Sequence, residues 1–318
     1  DLNLVFSGHG KHLDCPTLQL ANHHGLMIAG EAALSNWDAG MDMYIYGKLG
    51  NLIMTKEGIN VLMTNLTGKV PPILQRLDYI RFNGEAAGYL HDLTLTGLFY
   101  TGAGMVKTDV MMSIDEQSMS RTYSGSVASA DLDLGKLLNQ EKKFGKVDFN
   151  VELKGFNYKN RYPESYIKGI ISSFEYSQYQ YENIMLDGVY KDGGFNGRLS
   201  MDDANGSVQI DGNFNVAKTI PDFNLKASVK NLRPHDLHLS DKYENASISL
   251  GLTADFTGKS IDDMNGRISL DSLQLNAPDE RGCFLDNLTI TAGQVSGEKE
   301  LRINSSFMTA VIRGDYSY

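Results

Sequence analysis

Apolar and polar residues alternate along most of this chain, and the alternation is clearest between Asn183 and Val216. Ile184, Leu186, Gly188 and Tyr190 share one parity, Phe195, Gly197, Leu199 and Met201 a second run, and Val208, Ile210, Gly212, Phe214 and Val216 a third. Asn196, Arg198, Ser200, Gln209, Asp211 and Asn213 fall between them. Successive side chains of a strand point to opposite faces, so the pattern predicts three strands with one apolar and one polar side. Asp192-Gly193-Gly194 and Asp203-Ala204-Asn205-Gly206 supply the turns, because Gly and Asn tolerate the positive φ that tight hairpins demand.

The same reading extends in both directions. TLQLA from Thr17, GLMIAGEAAL from Gly25 and MDMYIYG from Met41 are short alternating runs, and alternation resumes from Asp92 to Asp115. KVDFNVELKG places Phe149, Val151 and Leu153 together, and DFNLKASVK does so for Phe223, Leu225 and Val229. Four stretches depart from the pattern. Ile73, Leu74, Leu77 and Ile80 follow a Pro pair at helical spacing and predict one short helix before a strand. Asp131 to Leu138 predicts a second short helix. The aromatic run from Phe174 to Tyr181 changes phase at Ser177-Gln178, which predicts a β-bulge. RPHDLHLSD reads as a loop or a single helical turn. The expectation is an all-β chain of roughly 16–20 strands, a long, curled, mostly sequential antiparallel sheet with a few short helices. It is expected to be one continuous unit over residues 1–318, with sub-boundaries near 70–82 and 231–244. A strand-turn-strand unit recurs in three degenerate copies.

Composition narrows the possibilities. With 42% apolar and 21% charged residues the chain is too apolar for disorder. A net charge of −10 leaves no basic stripe for phosphates, so nucleic acid is not an expected partner. No apolar run is long enough to span a bilayer as a helix, and the N-terminal residues lack the features of a signal peptide. Both ends stop inside strand-like alternation, which predicts an internal piece of a longer protein. Cys15 and Cys283 form no disulfide framework and have no partner at a zinc spacing; one bridge or two thiols both fit.

Candidate chemistry is sparse. His9, His12, His23 and His24 lack companions at metal-ligand spacing and read as loop residues. SGHGK at Ser7 lacks the remaining spacing of a phosphate loop. Asp202-Asp203 and Asp262-Asp263 precede Asn-Gly, fit turn chemistry and read as solvated. No nucleophile elbow or zinc-protease helix occurs, so no catalytic residue, metal or cofactor is expected and the chain does not read as an enzyme.

The apolar face itself remains. A sheet this long must hide it by folding into a U-shaped trough, closing as a barrel, or binding something apolar. Scattered aromatics, with no girdles at two rims, argue against an outer-membrane barrel. The candidate hydrophobic groove is lined by Phe149, Val151, Leu153, Ile184, Leu186, Phe195, Leu199, Val208, Ile210, Phe214, Phe223, Leu225 and Val229.

IRFNGEAAGYLHDLTLTGLFYTGAGMVKTDVMMSID followed by YSGSVASADLDLGKLL resembles the recurrent runs of the AsmA-like superfamily, and within it the TamB type of translocation and assembly module found in Bacteroidetes-like bacteria. YENIMLDGVYKDGGFNGRLSMDDANG, LTADFTGKSIDDMNGRISLDSLQL and INSSFMTAVIRGDYSY are similar to that family's central region, and the resemblance covers residues 30–318. It implies a β-taco, a U-shaped sheet apolar inside and polar outside. It further implies a periplasmic location in a Gram-negative bacterium, with an inner-membrane anchor and an outer-membrane-facing domain both outside this sequence. The implied function is conduction of phospholipid between inner and outer membranes in outer-membrane biogenesis. The implied partners are lipid acyl chains and a TamA-like barrel of the Omp85 family. Two alternatives stand beside it: a chaperone for insertion of autotransporters and outer-membrane barrels, and a repeat scaffold or adhesin without transport.

Overall fold

The computed structural model describes residues 2–115, 117–118, 120–157, 164–242, 244–260, 262–277 and 282–314. The end of the INSSFMTAVIRGDYSY run and Ile261 of the LTADFTGKSIDDMNG run lie outside the described residues. Among the described residues the fold is all-β: nineteen strands pair antiparallel in one sheet, with few short helices. The chain's contacts group into two units, Asp1–Arg161 with Ile171–Gln178, and Tyr162–Ile170 with Tyr179–Tyr318.

The first unit holds β1 (Leu2–His9), β2 (His12–Ala21), β3 (Leu26–Ser35), β4 (Tyr44–Thr55), β5 (Tyr79–Tyr89), β6 (Asp92–Thr101), β7 (Gly104–Ile114), β8 (Arg121–Asp133) and β9 (Phe144–Asn157). Each pairs antiparallel with the next in chain order. β10 (Glu164–Tyr176) is shared by both units. The second unit holds β11 (Tyr179–Lys191), β12 (Gly194–Asp203), β13 (Gly206–Asn215), β14 (Asp222–Leu232), β15 (Ser247–Thr257), β16 (Asn265–Asn276), β17 (Cys283–Val295), β18 (Glu298–Ser305) and β19 (Thr309–Arg313), again paired in chain order.

The turns explain much of this order. Asp192 and Gly193 have φ of +51° and +77°, the left-handed pair a two-residue hairpin needs. The Ala204-Asn205 turn is built differently. Neither central residue has a positive φ; instead the Asp203 carboxylate accepts from the Asn205 amide at 2.9 Å and the Glu182 amide at 3.1 Å. Ser177 and Gln178 have φ of +50° and +65° and form a hairpin turn between β10 and β11, where the phase change predicted a bulge. Strand bulges occur elsewhere, with Asp131, Asn231 and Ser272 in left-handed backbone beside register shifts.

Among the described residues three α-helices interrupt the first unit, besides a single 3₁₀ turn at Gly40–Asp42. The longest, α1 (Lys56–Thr67), is absent from the sequence expectation. Thr55 caps it by accepting from the Gly58 amide, and Gly68 at φ +74° closes it on the Thr64 carbonyl. The helix predicted after the Pro pair shrinks to α2 (Pro72–Gln75), and Ile80 lies on β5 instead. The apolar periodicity there is real but serves packing: Leu77 and Ile80 join Ile59 of α1 and Ala103 in a buried cluster. The second predicted helix begins later, as α3 (Leu134–Leu138) capped by Asp133, because Asp131 has φ +55° in the strand bulge before it. RPHDLHLSD forms consecutive turns, and its Leu237 is fully buried.

Fully buried apolar side chains are few beside the area exposed, 19449 Å². A compact monomer of 35.1 kDa exposes about 13,000 Å², and two separate compact bodies of half that mass about 16,000 Å². Most apolar side chains of the strands are half-buried rather than sealed.

Candidate functional site

Register, rather than any single residue, assembles the candidate site. In the second unit Leu186, Leu199, Ile210, Ala227, Leu252, Leu270 and Leu288 are cross-strand partners in turn, forming an aliphatic row across β11 to β17. One row over, toward the turns at Gly193 and Pro221, Gly188, Gly197, Gly212, Leu225, Ala254, Ile268, Ile290 and Ile303 align. Beyond it lies an aromatic row of Tyr190, Phe195, Phe214, Phe223 and Phe256. Ring centroids are 5.9 Å apart for Phe195 and Phe214, and 4.7 Å for the stacked pair Phe223 and Phe256. On the other side of the aliphatic row run Ile184, Met201, Val208, Val229 and Leu250.

The glycines in this pattern are steric necessities. A Cβ on Gly212, whose φ is +144°, would sit 2.3 Å from the Asn224 carbonyl oxygen and 2.6 Å from Leu225 Cα. A Cβ on Gly188 would meet Cζ of Phe195 at 2.6 Å, so the ring lies over bare backbone. The first unit repeats the device, with the Phe82 ring across the paired Gly84 and Gly97.

Thus Ile184, Leu186, Phe195, Leu199, Val208, Ile210, Phe214, Phe223, Leu225 and Val229 all sit on one face of the second unit. Phe149, Val151 and Leu153 sit on β9 of the first, in register with Ser129, Val127 and Gly125. All thirteen are half-buried. Leu252, Phe256, Ile268, Leu270, Leu288 and Ile290 belong to the same rows but were not singled out in the sequence. Their alternation is visible there, but it does not say which residues become neighbours.

The opposite face of the second unit is wet and charge-paired. Lys168, Asp187, Arg198, Asp211 and Lys226 alternate in sign, with Arg198 at 2.9 Å from Asp211 and Lys168 at 3.5 Å from Asp187. Tyr166 and Lys168 hold the Asp187 carboxyl below its ordinary range.

At one end of the strands the buried Tyr181 donates to the Leu237 carbonyl at 2.8 Å and fixes the turn after β14. Beside it, Asp203 corrects the expectation of a solvated carboxylate. It is buried and accepts from Tyr179 as well as from the two amides, because the sheet must satisfy a tight turn lacking left-handed residues. Burial first, and then the bond to Asp203, push the Tyr179 phenol up to about 12.

On β18, Glu300 is buried and takes Arg302 Nη2 at 2.9 Å and Arg313 Nε at 2.7 Å. Arg313, then Arg302, holds its carboxyl below the glutamate range. A lowered pKa gives stability that is complete above the unfolded glutamate value and is lost as pH falls through the folded one. Glu300→Gln is expected to remove that share of the acid dependence. Urea midpoints measured from neutral to acid pH should fall less steeply in the variant, and parallel curves would contradict the assignment.

The remaining candidates are dispersed. His12 contacts Ser35 at 2.6 Å and Asp14 at 2.9 Å, and His24 contacts Glu57 at 2.7 Å. Among the described residues no group of three or more His, Cys, Asp or Glu is placed to hold a metal. Cys15 and Cys283 are free thiols. No helix among the described residues is long and apolar enough to cross a membrane.

Two hollows stand out. One of about 750 Å³ in the first unit has a mixed lining that includes Glu31, Lys48, Glu85 and Thr96. Another of about 470 Å³ in the second unit is walled by Phe223, Phe256, Ile268 and Ile290. No family model, curated protein or solved structure matches this chain.

Proposed function

We propose that this chain is part of an envelope bridge whose apolar face conducts phospholipid between the inner and outer membranes, the sheet curling lengthwise into a U-shaped trough. The observation that carries the reading is the aliphatic row from Leu186 to Leu288, continuous over seven strands and half-buried rather than sealed. Each methylene taken from water onto such a row gains about 0.8 kcal/mol. A row without fixed polar anchors holds an acyl chain at no single position, so sliding costs little. The reading assigns no catalytic step and no cofactor. The periplasmic setting, the inner-membrane anchor and a TamA-like Omp85 partner rest on the sequence resemblance.

Native mass spectrometry of protein purified without detergent tests it. Phospholipid adducts are expected. A photo-crosslinker placed at Leu199 is expected to capture phospholipid. Bare protein and crosslinks to peptide alone would overturn the conduit and favour the assembly-factor alternative.

A further inference from the structure

At the aromatic end of the second unit two turn segments are held in place by the chain's own hydrogen bonds. Buried Asn215 accepts from the amides of Ala217 at 3.0 Å and Lys218 at 3.2 Å, and donates to the Asp192 carbonyl at 2.9 Å. This fixes the start of the segment between β13 and β14. The Asp263 carboxylate accepts from the amides of Lys259 at 3.0 Å and Ser260 at 2.7 Å, and so fastens the segment between β15 and β16. The two segments are joined, since the Gly258 amide donates to the Pro221 carbonyl at 3.0 Å. Met264 is buried in a cluster against which Phe256, Ile268 and Ile290 pack.

Both segments line the hollow of about 470 Å³. That volume falls within the range of small-molecule sites, about 300–1,000 Å³. Its walls are apolar: Val216, Pro221, the stacked Phe223 and Phe256, Ile268 and Ile290. The polar residues lining it are Lys259 and Ser260. The Ser260 hydroxyl is already spent on Asp263 at 3.1 Å. Lys259 is exposed, and among the described residues its ammonium makes no ion pair. A half-open apolar hollow with one cationic lining residue differs from the rows beside it, which offer no charge.

We propose that this hollow is a discrete binding site for a single-chain anionic amphiphile, a long-chain fatty acid, whose hydrocarbon lies between Phe256 and Ile290 and whose carboxylate meets Lys259. For the class of ligand this rests on the lipid reading above; for its location it rests on the hollow alone. Two-chain phospholipid would use the rows beside it, and the hollow would take one chain.

The test is titration of the 318-residue chain with cis-parinarate, whose fluorescence rises in an apolar site. Saturable binding is expected. Ile268→Trp, which fills the hollow, is expected to weaken it about tenfold or more, or about 1.4 kcal/mol. Lys259→Glu is expected to weaken the acid while leaving the matching fatty alcohol unchanged. As a check that needs no variant, spin-labelled stearate should broaden the methyl signals of Met264, Ile268 and Ile290 before those of Ile184 and Ile210. Undiminished binding to Ile268→Trp, or equal broadening along the whole face, would overturn the site. Parinarate binding lost in Ile268→Trp, in a protein that carries no phospholipid, would leave the site standing without the conduit. Phospholipid present with parinarate indifferent to Ile268→Trp would do the reverse.

Discussion

Ile210→Asp is expected to stop phospholipid passage, lowering transfer between donor and acceptor vesicles by about a hundredfold or more. Ile210 lies mid-row between Leu199 and Ala227, so in the proposed conduit a carboxylate there places a hydrated charge in the path of the acyl chains. Desolvating that charge as a chain slides over it costs several kcal/mol, and each 1.4 kcal/mol is tenfold in rate. The neighbouring Gln209→Asp adds the same charge on the opposite, exposed face and is expected to leave transfer near the unsubstituted rate. Equal rates for Ile210→Asp and Gln209→Asp would remove the basis for the conduit. The pair also controls for net charge, since both variants gain one carboxylate.

Ile59→Ala is expected to cost about 2–5 kcal/mol of unfolding free energy, read as a lower denaturant midpoint for the first unit. Ile59 is 1% exposed and packs with Leu77, Ile80 and Ala103, so truncation leaves a cavity that two short helices and a strand cannot easily close. Leu199→Ala on the apolar face is expected to cost less, because that side chain is only half-buried and loses less transfer free energy. A shift at Ile59 no larger than at Leu199 would show that α1 does not pack as described. The comparison separates the few residues that hold the sheet together from the many that line its open face.

Several elements were legible before any coordinates. The Asp192-Gly193 turn and the parities of β11, β12 and β13 follow from residue type and a period of two, both strictly local properties. The helix α1 was missed because Ile59, Leu62 and Met63 sit amid short alternating runs, and the caps at Thr55 and Gly68 resemble ordinary turn residues. At Ser177-Gln178 a bulge and a hairpin produce the same phase change, since aromatics line both sides of the turn. Only the partner strand distinguishes them. Bulge residues such as Asp131 and Asn231 look in sequence like any polar-face residue, because what marks them is a left-handed φ and not their identity.

The thirteen groove residues divide in the same way. Their facing was readable, but their grouping was not: ten share the second unit's rows, while Phe149, Val151 and Leu153 belong to β9 of the first.

By itself the sequence determined which side of each strand is apolar and that the chain is a succession of hairpins, because alternation and turn chemistry act within a few residues. Tertiary structure alone decided which apolar residues stand shoulder to shoulder, where α1 and Leu237 bury the strand ends, and that two loops line a hollow beside Phe223 and Phe256. Those outcomes depend on register and on hydrogen bonds such as Gly258 to Pro221, which join residues distant in the chain and leave no periodic trace in it.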